Sequence, residues 1–305
     1  MTESTGFELL DQYRSITSKL KKRFLRKPNE TEASESFAAL GQQCESQELP
    51  QYAALSWLAA ARCEGTLGNP VSETAYLLRA ARQFFKAEQE DFLTGCTCVS
   101  TENLEAGISC YHHASQRYVD DNSIPVGLDL EIVNFLQRIG RTESVRLHLN
   151  SAMELSKERP NSYLYCLCLL GSHFLKNGDY VSALHTYQEI TKALQNIPTG
   201  SQKCGLLLEC EINMVFLLLI LRPSPQKISS ELTRILEKYT WADQSDSSLI
   251  ACKMSKKLFL LMQSIVLICQ SVDTSSLREI ESDFWPFLSV EQKDLLRTLC
   301  RIYYP

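Results

Sequence analysis

The sequence contains little glycine, proline or valine. Only 12 Gly and 10 Pro occur among 305 residues, which is few for the many turns of an all-β sandwich. Valine occurs 11 times, whereas leucine occurs 45 times. Because leucine keeps most of its rotamer freedom in a helix and valine does not, this bias favours helices over strands. The composition therefore predicts an all-α protein.

The chain also lacks an excess of basic charge. Its 31 Lys and Arg are outnumbered by 36 Asp and Glu, giving a net charge of −5, which excludes a globally basic nucleic-acid binder. The N-terminus shows no secretory pattern, and the longest uninterrupted apolar run, residues 214–221, is shorter than the ~20 residues of a membrane span. We therefore expect a soluble cytoplasmic protein with reduced cysteines, no membrane span and no nucleic-acid partner.

Motifs for catalysis are missing as well. The sequence has neither a glycine-rich phosphate loop nor a Gly-x-Ser-x-Gly elbow. The best metal candidates are Cys96, Cys98, Cys110 and His113, but their spacing is irregular for a zinc site, and buried thiols with a surface histidine are the simpler interpretation. We predict no catalytic residues, no metal and no cofactor, with a cryptic Cys/His or zinc enzyme as the third alternative.

Instead, the sequence contains helical repeats. Residues 163–195 carry the spacing of a tetratricopeptide unit, in which two helices flank the turn Asn177-Gly178-Asp179. A small residue on each helix lets the two approach, and large residues fill the remaining space. The positions concerned are Leu167, Leu170, Gly171, Phe174, Ala183, Tyr187 and Ile190.

The same template recurs elsewhere. It fits residues 37–60, with Gly41 and Trp57 at matching positions, and more loosely residues 136–152, where Gly140 precedes Gly178 by 38 positions. Residues 73–90 and 101–118 are typical of one more helix pair. We predict a tetratricopeptide-like helical solenoid, a right-handed stack of antiparallel helix pairs similar to the vesicle-fusion attachment proteins.

The repeats divide the chain into predicted regions. We expect a basic N-terminal segment at residues 1–30, repeats at 31–196, a linker at 197–204 and strongly apolar helical repeats at 205–305. Proline, glycine and small polar residues mark the linker. Pro223 is expected to end the first apolar helix, and shorter helices are predicted at 229–239, 275–283 and 289–302, the last with an N-cap at Ser289.

Two predicted helices are apolar all round. Thirteen of sixteen residues are apolar at 206–221, and ten of twelve at 258–269, so both helices need cover on more than one side. They are either the deepest helices of a closing bundle or part of a partner interface. Because a solenoid is one helix pair thick, we favour the interface. Trp285 and Phe287 add aromatic anchors.

Positive charge is concentrated near the N-terminus. Residues 19–27 contain six cations in nine positions. This segment is either the solvated face of a helix whose apolar side (Ile16, Leu20 and Phe24) packs on the first repeat, or a surface for an acidic partner groove, or a nuclear-import or anionic-membrane signal.

Several stretches resemble the 40-kDa huntingtin-associated protein family. At the N-terminus these are Tyr13-Arg14 and residues 19–29, and in the C-terminal third they are residues 236–241, 258–264, 285–288 and Glu291-Gln292. The resemblance implies a non-catalytic, all-helical subunit that binds huntingtin as a 1:1 heterodimer between its HEAT-repeat lobes. It also implies a role in vesicle trafficking as a Rab5 effector on early endosomes.

From the residues and the resemblance together we predict a scaffold that stabilises and bridges its partner in the cytoplasm, with a nuclear location left open. An interface of this kind would bury more than roughly 2,000 Å². The alternative is an adaptor that binds coiled-coil bundles or a small GTPase directly. The expected partner-binding residues are Lys19, Lys21, Lys22, Arg23, Arg26, Lys27, Leu258, Phe259, Met262, Trp285 and Phe287.

Overall fold

The chain is an all-α helical solenoid, as predicted. The computed structural model describes residues 2–20, 29–95, 101–118, 121–198, 200–224, 229–241, 252–271 and 274–303. Within these ranges there are fourteen α-helices, one 3₁₀ helix and no strand. Most successive helices pack against each other, and the short connections make such neighbours antiparallel.

The helices form two compact units, Met1–Leu155 and Ser156–Pro305. The first unit contains α1 (Thr2–Leu20), α2 (Glu30–Ser46), α3 (Pro50–Leu67), α4 (Pro70–Leu93), α5 (Glu102–Ser115), α6 (Ser123–Arg138) and α7 (Val145–Leu155). The second contains α8 (Pro160–Lys176), α9 (Tyr180–Gln195), α10 (Ser201–Leu221), α11 (Ser230–Trp241), α12 (Lys256–Ser271), α13 (Thr274–Phe284), the 3₁₀ helix (Trp285–Phe287) and α14 (Val290–Tyr303).

The division does not fall at the linker predicted for residues 197–204. Helix α9 ends at Gln195, α10 begins at Ser201, and the two helices pack directly on each other. The predicted linker therefore lies inside the second unit, and its residues 201–204 are the first turn of α10. Its proline and glycine mark the end of a helix. Such a local composition does not show whether the two flanking helices belong to separate domains or pack on each other in one.

Helix ends follow local rules. Pro50, Pro70 and Pro160 each open a helix, because the first turn needs no backbone donor at that position. The Asp179 side chain caps α9 by accepting a hydrogen bond of 3.1 Å from the Ser182 amide. Two of the turns contain a glycine with a φ of +72°, Gly140 and Gly178. The 38-residue spacing predicted that these two glycines occupy equivalent positions of two repeats, and both take a conformation that favours glycine.

Three helix pairs are fixed by a glycine facing an aromatic ring. A Cβ on Gly41 of α2 would lie 2.8 Å from Trp57 of α3, and one on Gly107 of α5 would lie 2.6 Å from Phe85 of α4. In the second unit, a Cβ on Gly171 of α8 would lie 3.3 Å from Tyr187 of α9. No larger residue fits against the first two rings as they stand, so the absent side chains set how closely the helices approach.

Helix α10 is enclosed within the second unit. Every residue from Ile212 to Ile220 is buried, because α14 returns to pack on α10 together with α9 and α12. The expectation that a partner must cover this helix is therefore wrong for residues 212–220, which the closing-bundle alternative describes, whereas Leu206, Leu207 and Leu208 are half-buried. A solenoid contacts only sequential neighbours, whereas here a helix distant in sequence supplies the cover.

The end of α10 is held by an aromatic contact. Arg222 takes the left-handed conformation with a φ of +44°, immediately before Pro223. Its guanidinium carbon lies 3.7 Å from the ring centroid of Tyr303 on α14, within the range of a cation–π interaction. This contact joins the C-terminal ends of α10 and α14.

We expect Gly41→Ala to destabilise the protein by about 1–3 kcal/mol, because the added methyl group overlaps the Trp57 ring. Gly127→Ala is the matched control, since it lies on α6 with nothing within 4 Å of its Cβ position and should stabilise by about 0.5–1 kcal/mol. Urea unfolding followed by circular dichroism measures both. Equal effects of the two substitutions would contradict the role of the Gly41–Trp57 contact.

Candidate partner-binding surfaces

The basic segment is only partly within the described residues. Lys19 lies exposed near the end of α1, while Lys21, Lys22, Arg23, Arg26 and Lys27 lie outside the described ranges. On the apolar side of α1, Ile16 and Leu20 pack against a core cluster that includes Phe37. This packing confirms the predicted orientation of α1 over those two residues, and Phe24 lies outside the described ranges.

Three of the predicted apolar contact residues belong to the core. Leu258, Phe259 and Met262 on α12 are all buried, and the Phe259 ring lies 5.8 Å from the ring of Tyr239 on α11. Sequence periodicity could not distinguish residues that contact a partner from residues of the core at these positions, because α12 is apolar on most of its circumference. Their burial assigns them to the supporting core, so they are not among the candidate contacts.

The opposite side of α12 carries the exposed apolar residues. Leu260 and Leu267 are 48% and 43% exposed, and Leu261 and Ile268 are half-buried. We call these four residues the α12 outer face. One side of α12 is covered by the chain itself and the other side is open. Of the two apolar helices, α12 is therefore the one whose outer face remains a predicted interface.

Trp285 and Phe287 lie on the surface among cations. The Trp285 side chain is 36% exposed, and its ring centroid lies 5.0 Å from Lys293 Nζ and 4.9 Å from the Arg297 guanidinium carbon. The Phe287 ring centroid lies 5.5 Å from Lys257 Nζ. We call these five residues the Trp285 surface.

Buried residues hold the Trp285 surface in place. Phe284, directly before it, is fully buried and packs edge-on against Phe216 of α10 at 5.9 Å. Leu288, directly after the 3₁₀ helix, is also buried. Ser289 and Gln292 then form a capping box, since each side chain accepts a hydrogen bond from the other's backbone amide, at 3.3 and 3.0 Å. The N-cap predicted at Ser289 is confirmed.

Each unit also contains a groove that the sequence did not reveal. In the second unit, a groove of about 610 Å³ lies between α9, α10 and α11, with Trp241 on its rim, 85% exposed. Glu211 accepts hydrogen bonds there from Lys238 Nζ at 2.8 Å and from the Tyr239 hydroxyl at 3.0 Å. This ion pair is nearly buried, so it fixes α11 against α10.

The groove of the first unit lies between α5, α6 and α7 and has a volume of about 690 Å³. Leu128 and Ile132 are buried in its lining and Leu147 is exposed. Asp129 and His148 also line it, with 3.1 Å between Asp129 Oδ1 and His148 Nδ1. Periodicity gives the faces of single helices, whereas a groove depends on the spacing between helix pairs. This is why the sequence predicted neither groove.

The zinc candidates do not form a site in the described part of the chain. Cys110 is buried, and burial raises the pKa of its thiol to about 11, which disfavours the thiolate that binds metal. His113 Nε2 lies 3.8 Å from Glu73 Oε1. Cys96 and Cys98 lie outside the described ranges, and the described residues contain no group of three potential ligands.

Helix α10 is long and apolar enough to cross a membrane by length and composition alone, and it is the one such helix in the described residues. The longest run without a polar residue is only residues 214–221, because Glu209, Glu211 and Asn213 interrupt the apolar sequence of α10. However, 67% of its most apolar window is buried inside the structure. A core helix passes the same test, and the packing of α9, α12 and α14 around α10 favours that role.

Together, the fold and these surfaces define a helical-repeat protein with exposed aromatic and apolar side chains. No protein-family model matches the chain. The chain is 30% identical to the 40-kDa huntingtin-associated protein of Mus musculus, covering 96% of this chain and 92% of that protein. The protein of the same name from Rattus norvegicus matches with the same identity and coverage. The chain belongs to the 40-kDa huntingtin-associated protein family.

The two sides of α12 predict opposite mutational effects. Met262→Ala should destabilise by about 2–5 kcal/mol because it leaves a cavity in the core. Leu260→Ala on the same helix should change the free energy of unfolding by no more than about 0.5 kcal/mol, because its surface site can be filled by water. Thermal and urea unfolding of both variants measure this, and a loss at Leu260 as large as that at Met262 would contradict the assigned orientation of α12.

Proposed function

We propose that this chain is a non-catalytic scaffold subunit that binds huntingtin. The observation that carries the proposal is the family relationship, since 30% identity extends over 96% of the chain and 92% of two proteins described as huntingtin-associated. The helical-repeat fold supports it, because such folds present extended surfaces to protein partners. The candidate contacts are the Trp285 surface, the α12 outer face and the cations of residues 19–27.

We further propose that the chain bridges separate parts of huntingtin as a 1:1 heterodimer. Two features support this geometry. The chain folds as two compact units, and each unit has its own groove. A partner that engages both units gains from the second contact, because it becomes intramolecular once the first has formed. Binding of this kind also stabilises the folded subunit by mass action, which supports a chaperone-like role.

The cellular part of the proposal is a role in vesicle trafficking as a Rab5 effector on early endosomes, with the protein in the cytoplasm and a nuclear location left open. It is supported by the sequence stretches that resemble the family. Nucleotide-dependent capture of the chain by Rab5 without huntingtin would favour direct binding and the alternative role of an adaptor. Capture only in the presence of huntingtin would favour an effector role through the complex.

Co-expression of the full chain with huntingtin tests the main proposal. We expect one complex of equimolar composition on size exclusion, with a lower yield of soluble chain when huntingtin is absent. Replacing Lys21, Lys22 and Arg23 by Glu should weaken the complex, more strongly at low than at high salt, because the surfaces attract through charge. Quantitative pull-down over a salt series measures this.

A control with the same charge change replaces Lys86, Arg138 and Lys157 by Glu, since these are exposed cations that line neither groove. It should bind huntingtin like the wild type. Circular dichroism must show equal helicity for both triple variants. A free chain that stays monodisperse and never associates with huntingtin would rule out the proposed function, whereas an unaffected pull-down would rule out only a contact by the basic segment.

A further inference from the structure

The Trp285 surface combines an exposed tryptophan ring and a half-buried phenylalanine ring with nearby cations. Two cations lie within 5.0 Å of the Trp285 ring centroid and a third lies 5.5 Å from that of Phe287. Contacts at these distances are cation–π interactions. They hold Trp285 along α14, so that little side-chain entropy remains to be lost when a partner binds.

The charge of this surface is only partly neutralised. Arg297 pairs with Asp294 on the same helix, at 3.0 Å. By contrast, no carboxylate of the described residues lies within 4.0 Å of Lys257 or Lys293. The chain as a whole carries a net charge of −5. The Trp285 surface therefore carries three positive charges, and the two on Lys257 and Lys293 have no carboxylate of the described residues in contact.

Its residue types are those that contribute most to protein interfaces. Trp and Arg are enriched among the residues that dominate binding free energy. Val290, at the start of α14, is also strongly exposed, and it adds apolar area next to the capping box. A ring with cations beside it offers two complementary contacts, one for apolar side chains and one for carboxylates.

We propose that the Trp285 surface binds an acidic segment of the protein partner. Asp and Glu side chains of this segment pair with Lys257 and Lys293, and its apolar side chains pack on Trp285 and Phe287. The inference rests on the proposed function, for which the partner is huntingtin. It adds the chemistry of the partner's contact site, which the family relationship does not give.

A protein segment fits this surface better than an anionic membrane does. Recognition of anionic lipid needs a cluster of about 4–8 cations on one face, whereas the Trp285 surface contains three cations, of which Arg297 is paired with Asp294. Two cations held at fixed positions around rigid rings suit a segment with carboxylates at set spacings. Charge complementarity of this kind also raises the association rate.

Zero-length carbodiimide cross-linking of the complex with huntingtin tests the proposal directly, because it joins a lysine amine to a carboxylate in contact with it. We expect Lys257 and Lys293 to be linked to Asp or Glu residues of huntingtin. Both lysines should also be protected from acetylation in the complex. If they are acetylated equally in the free and bound chain and form no cross-links, the proposal is wrong.

Charge reversal gives a second measure. The double variant Lys257→Glu/Lys293→Glu in the full chain should weaken huntingtin binding by about tenfold or more and reduce its salt dependence. The matched control Lys86→Glu/Lys157→Glu, which reverses two exposed cations that line neither groove, should change binding less than about twofold. Lys257 is exposed and Lys293 is half-buried, so neither substitution places a charge in the core. Circular dichroism should therefore show that the double variant has the helicity of the wild type.

The possible failures can be told apart. If the wild-type chain does not bind huntingtin, the proposed function fails and this inference fails with it. If the wild type binds and the double variant binds equally well, only this inference fails.

Binding of the wild type and the double variant to vesicles with 30% phosphatidylserine distinguishes a lipid site from a protein site. If the double variant loses vesicle binding and keeps huntingtin binding, the surface recognises lipid and the proposal is overturned.

Discussion

The close approach of paired helices is the constraint on which the structure depends. At Gly41, Gly107 and Gly171, the space where a side chain would stand is taken by an aromatic ring from the neighbouring helix. The ring then fills the interface and sets the distance between the helices. Because this contact recurs in both units, it explains how a sequence whose repeats vary in length still forms closely packed helix pairs.

The helices, the cap at Ser289 and the template positions Gly41, Trp57, Gly171 and Tyr187 could be predicted from the sequence, because each is decided by residues close together in the chain. The turn at Gly178 and the capping box at Ser289 are examples. The division after Leu155 and the cover of α10 by α14 could not, since both depend on contacts between distant segments. Apolar residues on all sides of α10 show that it must be covered, but they do not show what covers it.

The dependence on contacts between distant segments also explains why only some of the predicted contact residues lie on the surface. Trp285 and Phe287 are surface residues, as an aromatic anchor requires, but Leu258, Phe259 and Met262 from the same prediction are buried. On a helix as apolar as α12, the difference between Met262 and Leu260 comes from the position of the helix relative to α10, α11 and α13. The contact between Lys257 and the Phe287 ring could not be predicted either, because the two residues lie 30 positions apart in the sequence.

The cover of α10 has a consequence for how the protein is made. Helix α14 follows α10 by roughly 70 residues, and a ribosome adds about 5–20 residues per second. For several seconds, therefore, the nascent chain carries a completed, leucine-rich helix whose final cover has not been synthesised. The packing of α14 on α10 can form only after α14 has left the exit tunnel, and during this interval the apolar surface of α10 that α14 covers is exposed on the growing chain.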